Sequence, residues 1–232
     1  MHRFVFLRHG QSVWNADKRF TGWTDVGLSP RGVAEARAAA ATLQANGYAF
    51  DVCFTSALQR ASETARIILE RMGLTGIPVH RSWRLNERHY GALQGLSFWK
   101  AIRMYGPLAV VGCQREFSVA PPLLAEDDPR FPGNDAAYAG EDAASLPRGE
   151  SLANTLERVR PYWDEVIAPE VRVGKRAIVV AHRNSLRALV KYLEGVSDAG
   201  APRIKVPTGI PQVCELDDSM RVVRHFSLGN GR

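Results

Sequence analysis

The stretch "KRAIVVAHRNSLRALVKYLEG", residues 175–195, joins two hydrophobic periods. Residues 177–181 are an unbroken run of small and β-branched side chains, the pattern of a strand buried on both faces. Beyond it, Leu186, Leu189, Val190 and Leu193 share one face of a helix that Gly195 can stop. His182 stands where the strand gives way to the helix. The same strand, loop, helix order recurs upstream. "FVFL" (4–7) ends at Arg8-His9-Gly10, and a helix follows with Ser29 as N-cap, Pro30 in its first turn and Gly47 at its end. "FDVCFTS" (50–56) leads into a helix running to about Gly73, with Ser56 and Gln59 as a capping-box pair and Arg60 in the first turn. The alternation predicts an α/β fold, a three-layer sandwich with a mostly parallel central sheet. Ligands of such sheets bind beyond the carboxyl ends of the strands, where both His9 and His182 fall.

At 232 residues and 45% hydrophobic content, the chain can bury one full core, so residues 1–232 are expected to form a single domain. Between about 98 and 150 the composition shifts to Pro, Gly, Asp and Ala with weak periodicity, which predicts a loop-rich lid insertion. An edge strand is expected in "DDSMRVVRHFSLGNGR", followed by a mobile tail from about residue 227. The net charge of +6, from 30 Lys and Arg against 24 Asp and Glu, is scattered rather than grouped in runs, which favours a small anionic substrate over nucleic acid. Cys53, Cys113 and Cys214 are odd in number and far apart, so neither a disulfide framework nor a cysteine zinc site is expected, and a reducing cytoplasm is the expected location. No apolar run approaches the ~20 residues that cross a bilayer, so no membrane partner is expected.

The strand-end residues suggest phosphoryl transfer. An imidazole held after a buried strand can attack phosphorus, and the adjacent Arg8 can bind the non-bridging oxygens as a planar fork. With His182 and Arg60 brought to the same point, the charge on the equatorial oxygens of the transferring group is neutralised without a metal. A metal site of His9, His182 and Glu87 is the alternative, but no His-x-x-x-His or carboxylate-rich spacing accompanies it. Glu87, in "LNERHYGALQG", is the candidate general acid, a task that needs a pKa raised by burial or by neighbouring phosphate.

Taken together, "FLRHGQSVWNADKRFTGWTDVGLSPRG", "TSALQRASETA", "LNERHYGALQGL", "GESL", "AHRNSLRALVKYL" and "VPTGIPQVCELD" resemble the cofactor-dependent phosphoglycerate mutases of the histidine phosphatase superfamily, collinearly from about residue 4 to 229. The resemblance implies the phosphoglycerate mutase-like fold and interconversion of 3- and 2-phosphoglycerate, primed by 2,3-bisphosphoglycerate. It also implies a small phosphorylated acid as substrate and a homodimer or homotetramer as the assembly. His9 is then the phosphorylated nucleophile, Glu87 the proton donor and acceptor, and His182 the stabiliser of the transferring group. Arg8, Asn15, Arg60 and Asn184 match phosphate-pocket positions, and Thr21, Gly22, Arg88, Tyr90 and Arg115 match positions contacting the rest of the substrate. The insertion resembles the mutases' own, which helps to exclude water.

Some positions depart from the pattern. Arg183 replaces the usual glycine after the second histidine, Phe98 a lysine, and Gln114 the first of an arginine pair. Phe98 and Gln114 remove cationic contacts, while Arg183 adds one and is expected to be strained if that turn needs positive φ. Two enzyme readings stay open: a mutase in which Arg183 compensates, or a phosphatase or phosphomutase acting on another small phosphorylated substrate. A binding-only homologue fits less well with His9, Glu87 and His182 all present.

Overall fold

The computed structural model describes residues 1–229. Its strands are β1 (His2–Arg8), β2 (Val52–Ser56), β3 (Val79–Ser82), β4 (Ala177–Ala181), β5 (Gln212–Leu216) and β6 (Val222–Ser227), in one sheet of order β3-β2-β4-β1-β5-β6. β3, β2, β4 and β1 run parallel, whereas β5 and β6 pair antiparallel at one edge. The helices are α1 (Val13–Ala16), α2 (Pro30–Ala45), α3 (Gln59–Arg71), α4 (Phe98–Arg115), α5 (Leu152–Tyr162), α6 (Ala168–Arg172) and α7 (Arg183–Glu194).

Side chains alternate across the sheet, so each central strand feeds two cores. Phe4, Phe6, Phe54, Val179 and Ala181 pack with Val159, Trp163, Leu186 and Leu189 of the α5–α7 layer. Val5, Leu7, Cys53, Ile178 and Val180 pack on the opposite face against Ala39, Leu43, Ala65 and Ile68 of α2 and α3. This is the three-layer sandwich expected from the sequence, with the helices on both faces of a mostly parallel sheet.

Register places the histidines. Arg8 pairs with Ala181 across β1 and β4, and the His9 amide donates to the Ala181 carbonyl at 3.0 Å, so His9 and His182 leave adjacent strands at one level. Close backbone contact then fixes the loop after β1. A Cβ on Gly10 would lie 2.2 Å from the Gly32 carbonyl oxygen, and one on Gly32 would lie 2.0 Å from the Gln11 oxygen. Gly10 is therefore needed for approach to α2 rather than for unusual dihedrals.

Some local expectations change. Ser29 caps α2 as expected, accepting from the Gly32 amide. Ser56, however, does not cap α3: Leu58 is the N-cap without a side-chain bond, and Asp25 Oδ1 accepts from the Gln59 amide at 2.8 Å. The segment from 98 to 150 begins with the 18-residue α4, kinked at Gly106 (φ 80°) ahead of Pro107; only beyond it is the chain loop-rich with short 3₁₀ turns. β6 is the expected edge strand, while residues 230–232 of the expected mobile tail lie outside the described residues.

Candidate active site

A cavity of about 230 Å³ opens at the carboxyl ends of β1 and β4, lined among others by Arg8, His9, Arg60, Glu87 and Arg183. His9 is buried and its Nδ1 lies 2.6 Å from the Gly10 carbonyl oxygen, which can only accept. Nδ1 must therefore carry the proton, leaving Nε2 with its lone pair free for attack. Burial, followed by the fields of Arg60 and Arg8, holds the pKa of His9 well below its ordinary value, so the imidazole is neutral. The loop is fixed in turn by Thr64, whose hydroxyl accepts from the Gly10 amide at 3.1 Å and donates to the Arg60 carbonyl at 2.7 Å.

The two buried arginines that line the cavity, Arg8 and Arg60, differ in their bonding. Arg60 donates to the carbonyls of Thr24 and Gly22 at 3.0 and 2.7 Å, so its fork is clamped in place. Arg8 Nε is buried with no hydrogen-bond partner among the described residues. Burial lowers the pKa of both guanidinium groups to about 10, which still leaves them cationic at neutral pH. An unpaired buried cation is costly, and a bound anion removes that cost.

Glu87 Oε1 accepts from the amides of Arg88 at 2.8 Å and Asn184 at 3.1 Å. Burial alone raises its pKa, but the Arg88 amide and the charges of Arg60, Arg8 and Arg88 together outweigh it, so the net shift is downward. The raised pKa expected of a general acid is thus absent without ligand: Glu87 is ionised, and a bound phosphoryl dianion has to supply the rise. Behind it, Arg158 clamps the loop. Its guanidinium pairs with Glu150 at 2.6 and 2.8 Å and donates to the carbonyls of Arg84, Asn86 and Glu87, while Glu150 accepts from the His89 amide.

The remaining expected residues divide. Asn15, Thr21, Gly22, Tyr90, Phe98, Gln114 and Arg183 line the cavity. Asn15 Oδ1 holds the Ser12 amide, which leaves its Nδ2 for the cavity. Arg88, Asn184, Arg115 and His182 do not line it; His182 is buried beside His9, with the ring centroids 4.9 Å apart. Arg88 is buried and donates to the Cys113 carbonyl and the Tyr90 hydroxyl, fastening the Glu87 loop to α4. Asn184 is a buried strut between Tyr90 and Arg187. Arg115 is exposed, one residue and about 100° of helix beyond the cavity-lining Gln114. Arg183 is the first residue of α7, exposed, and not among the residues with positive φ, so the expected strain is not there. It lines the cavity together with Arg8 and His9, and its charge contributes to lowering the pKa of both.

Sequence reasoning missed Lys18, Arg19 and Phe20 on the cavity wall, although two adjacent cations between Asn15 and Thr21 were a signal. It also missed the layer behind the histidines, formed by Ser56, Thr64, Asn86, Glu150 and Arg158. Among the described residues no cluster of His, Cys, Asp and Glu is arranged to hold a metal ion, and no helix is long and apolar enough to cross a membrane.

Comparison with known proteins agrees with this geometry. The model of the histidine phosphatase superfamily (branch 1) matches residues 4–126 and 122–228. A 2,3-bisphosphoglycerate-dependent phosphoglycerate mutase of Nitratidesulfovibrio vulgaris (strain DSM 19637 / Miyazaki F) is 51% identical over 230 residues, covering 99% of this chain and 92% of the relative. Among solved structures, a mycobacterial glucosyl-3-phosphoglycerate phosphatase complexed with VO3 aligns with a TM-score of 0.74 at 26% identity, over 98% of this chain and 97% of the other. A putative alpha-ribazole-5'-P phosphatase from Escherichia coli shares the fold, with a TM-score of 0.73 at 20% identity over 98% and 95% of the two chains. With its two strand-end histidines side by side and family matches spanning almost its whole length, the chain belongs to branch 1 of the histidine phosphatase superfamily.

Proposed function

We propose that the protein is a 2,3-bisphosphoglycerate-dependent phosphoglycerate mutase, interconverting 3- and 2-phosphoglycerate through phospho-His9. What supports the mutase reading is the 51% identity, over 99% of the chain, with a protein named for that activity; the free Nε2 of His9 and the carboxylate of Glu87 beside it supply the chemistry. Attack by Nε2 on a phosphate ester forms the N–P bond and breaks the bond to the leaving oxygen, while Arg8, Arg60 and His182 offset charge on the three equatorial oxygens. Glu87, its pKa raised by the bound dianion, takes up a proton from solvent and gives it to the leaving oxygen. Once phosphorus has moved to His9 and the alcohol has shifted, the Glu87 carboxylate takes the proton from the hydroxyl that attacks phospho-His9.

The unpartnered Nε of Arg8 and the cationic lining fit 2,3-bisphosphoglycerate, which supplies the first phosphoryl group when bound. Lys18, Arg19 and Arg183 are then placed to hold the carboxylate and the non-reacting phosphate. A small phosphorylated acid is the expected partner, and a homodimer or homotetramer in the cytoplasm the expected setting.

The test is to give the purified protein 3-phosphoglycerate with and without catalytic 2,3-bisphosphoglycerate. Formation of 2-phosphoglycerate that depends on the bisphosphate, with label trapped on His9 and lost in His9→Ala, is expected. Release of inorganic phosphate without isomerisation makes the protein a phosphatase instead, the activity in the name of its structural relative at 26% identity.

A further inference from the structure

Ser56 has one hydroxyl proton and three polar neighbours. The Leu58 amide donates to its Oγ at 3.0 Å, Asn86 Oδ1 lies 2.8 Å away and His182 Nε2 also 2.8 Å away. The orientation of the Asn86 amide is settled independently. The Ala57 amide, which can only donate, sits 3.1 Å from Oδ1, while Nδ2 donates to the Tyr138 hydroxyl at 3.0 Å. Oδ1 has no proton, so its contact with Ser56 Oγ requires the hydroxyl hydrogen between them. With that hydrogen engaged, Oγ can only accept from His182.

We infer that Ser56, oriented by Asn86, is a positioning residue that holds neutral His182 as the Nε2–H tautomer, leaving Nδ1 a bare acceptor, so that a phosphoryl group docks there only with uptake of one proton. Nδ1 is buried with no partner among the described residues, and the His182 ring centroid lies 4.9 Å from that of His9. A lone pair facing a phosphoryl oxygen is repulsive, so a proton from solvent must lie between them, on the nitrogen or on the oxygen. The charged groups around the ring favour this only after the anion arrives. Burial, then Arg60, His9, Arg158 and Arg8, keep the empty imidazole neutral and its pKa well below the ordinary value. Glu87 is held close by through the Asn184 amide. A phosphoryl dianion offsets those cations and reverses the preference.

The docking half rests on the proposed phosphoryl site; the tautomer does not. Long-range ¹H–¹⁵N correlation spectra of the ligand-free protein with labelled histidine are expected to show His182 protonated at Nε2 and bare at Nδ1. Protonation at Nδ1 overturns the inference and needs no variant to be seen. In Ser56→Ala, Nε2–H loses its acceptor, so the tautomer should shift to Nδ1–H, which donates to phosphoryl oxygen directly. Binding of inorganic phosphate between pH 7.5 and 9, followed by calorimetry, should then weaken about tenfold more steeply per pH unit in the wild type than in Ser56→Ala, the signature of one linked proton. Equal slopes overturn proton uptake at His182. Failure of phosphate to bind, with Nε2–H seen, overturns the phosphoryl site and the uptake but leaves the tautomer assignment intact.

Discussion

Arg60 and Arg183 line one cavity under opposite constraints. Arg60 is buried and held by the carbonyls of Gly22 and Thr24, whereas Arg183 is exposed and its side chain has no hydrogen bond among the described residues. The contrast extends to their neighbours. Around Arg60, His9, Glu87 and His182 each have a polar atom fixed by a backbone or buried partner. Around Arg183, Lys18 and Gln114 stand exposed at the rim. A buried, bonded group cannot change without leaving its partner unsatisfied, at about 1–3 kcal/mol each and more for charges. A rim residue changes without that penalty. The floor therefore sets what reaction is possible, and the rim sets which molecule is offered to it.

The harshest way to break the contrast is at the proposed nucleophile. His9→Ala is expected to lower turnover of phosphoglycerate by on the order of 10⁴-fold or more while leaving the thermal midpoint close to wild type, since one partner is lost. Loss below about 100-fold in steady-state assays would mean that the floor does not carry the reaction. Next in size is the clamp behind Glu87. Arg158→Met leaves the Glu150 carboxylate buried and unpaired and should cost about 3–5 kcal/mol in urea unfolding, with partial recovery when Glu150→Gln is added. An unchanged midpoint would remove Arg158 from the floor.

Acid sharpens the same division. His89 is buried and its Nδ1 accepts from the Gly91 amide at 3.0 Å; burial first, and then Arg158 and Arg130, lower its pKa from 6.5 to about 3. The folded value lies below the unfolded one, so the unfolded chain binds this proton first as pH falls. Stability is full above about pH 6.5 and declines from there toward pH 3, by up to about 1.4 kcal/mol per pH unit from this group. Melting at pH 7.5 and 5 should show the fall, and His89→Gln should reduce it; a wild-type midpoint that does not move contradicts a buried neutral His89. The smallest effect belongs to the rim. Arg183→Gln is expected to raise KM for phosphoglycerate about three- to tenfold, with kcat and the melting temperature nearly unchanged. A large drop in kcat instead would assign Arg183 to the floor.

Much of this was legible in the sequence because burial leaves a plain trace. The wholly apolar runs at 4–7 and 177–181 are strands as expected, and a histidine within two residues of the end of each run had to emerge at the sheet edge. Ser56 was not legible for what it does, because a serine three residues before Gln59 is also a capping pattern; only the spatial arrival of Asn86 and His182 separates the two. α4 was hidden because Gly106-Pro107 interrupts its period and because Trp99, Met104 and Leu108 are exposed, blurring its apolar face. Arg88 and Arg115 carry charges that suit an anion, yet side-chain direction turns one into the protein and the other out to solvent, and neither follows from position in the chain.

The strand order has a consequence for the growing chain. β4 lies between β1 and β2, so the two N-terminal strands never pair with one another and are joined only through residues 177–181. Such long-range insertion is slow and comes late in folding. During synthesis, therefore, the segment bearing His9 is complete long before it has a neighbour. A prematurely terminated or nascent polypeptide cannot assemble the paired imidazoles, and competence for phosphoryl transfer appears only when the last third of the protein has been made and threaded into place.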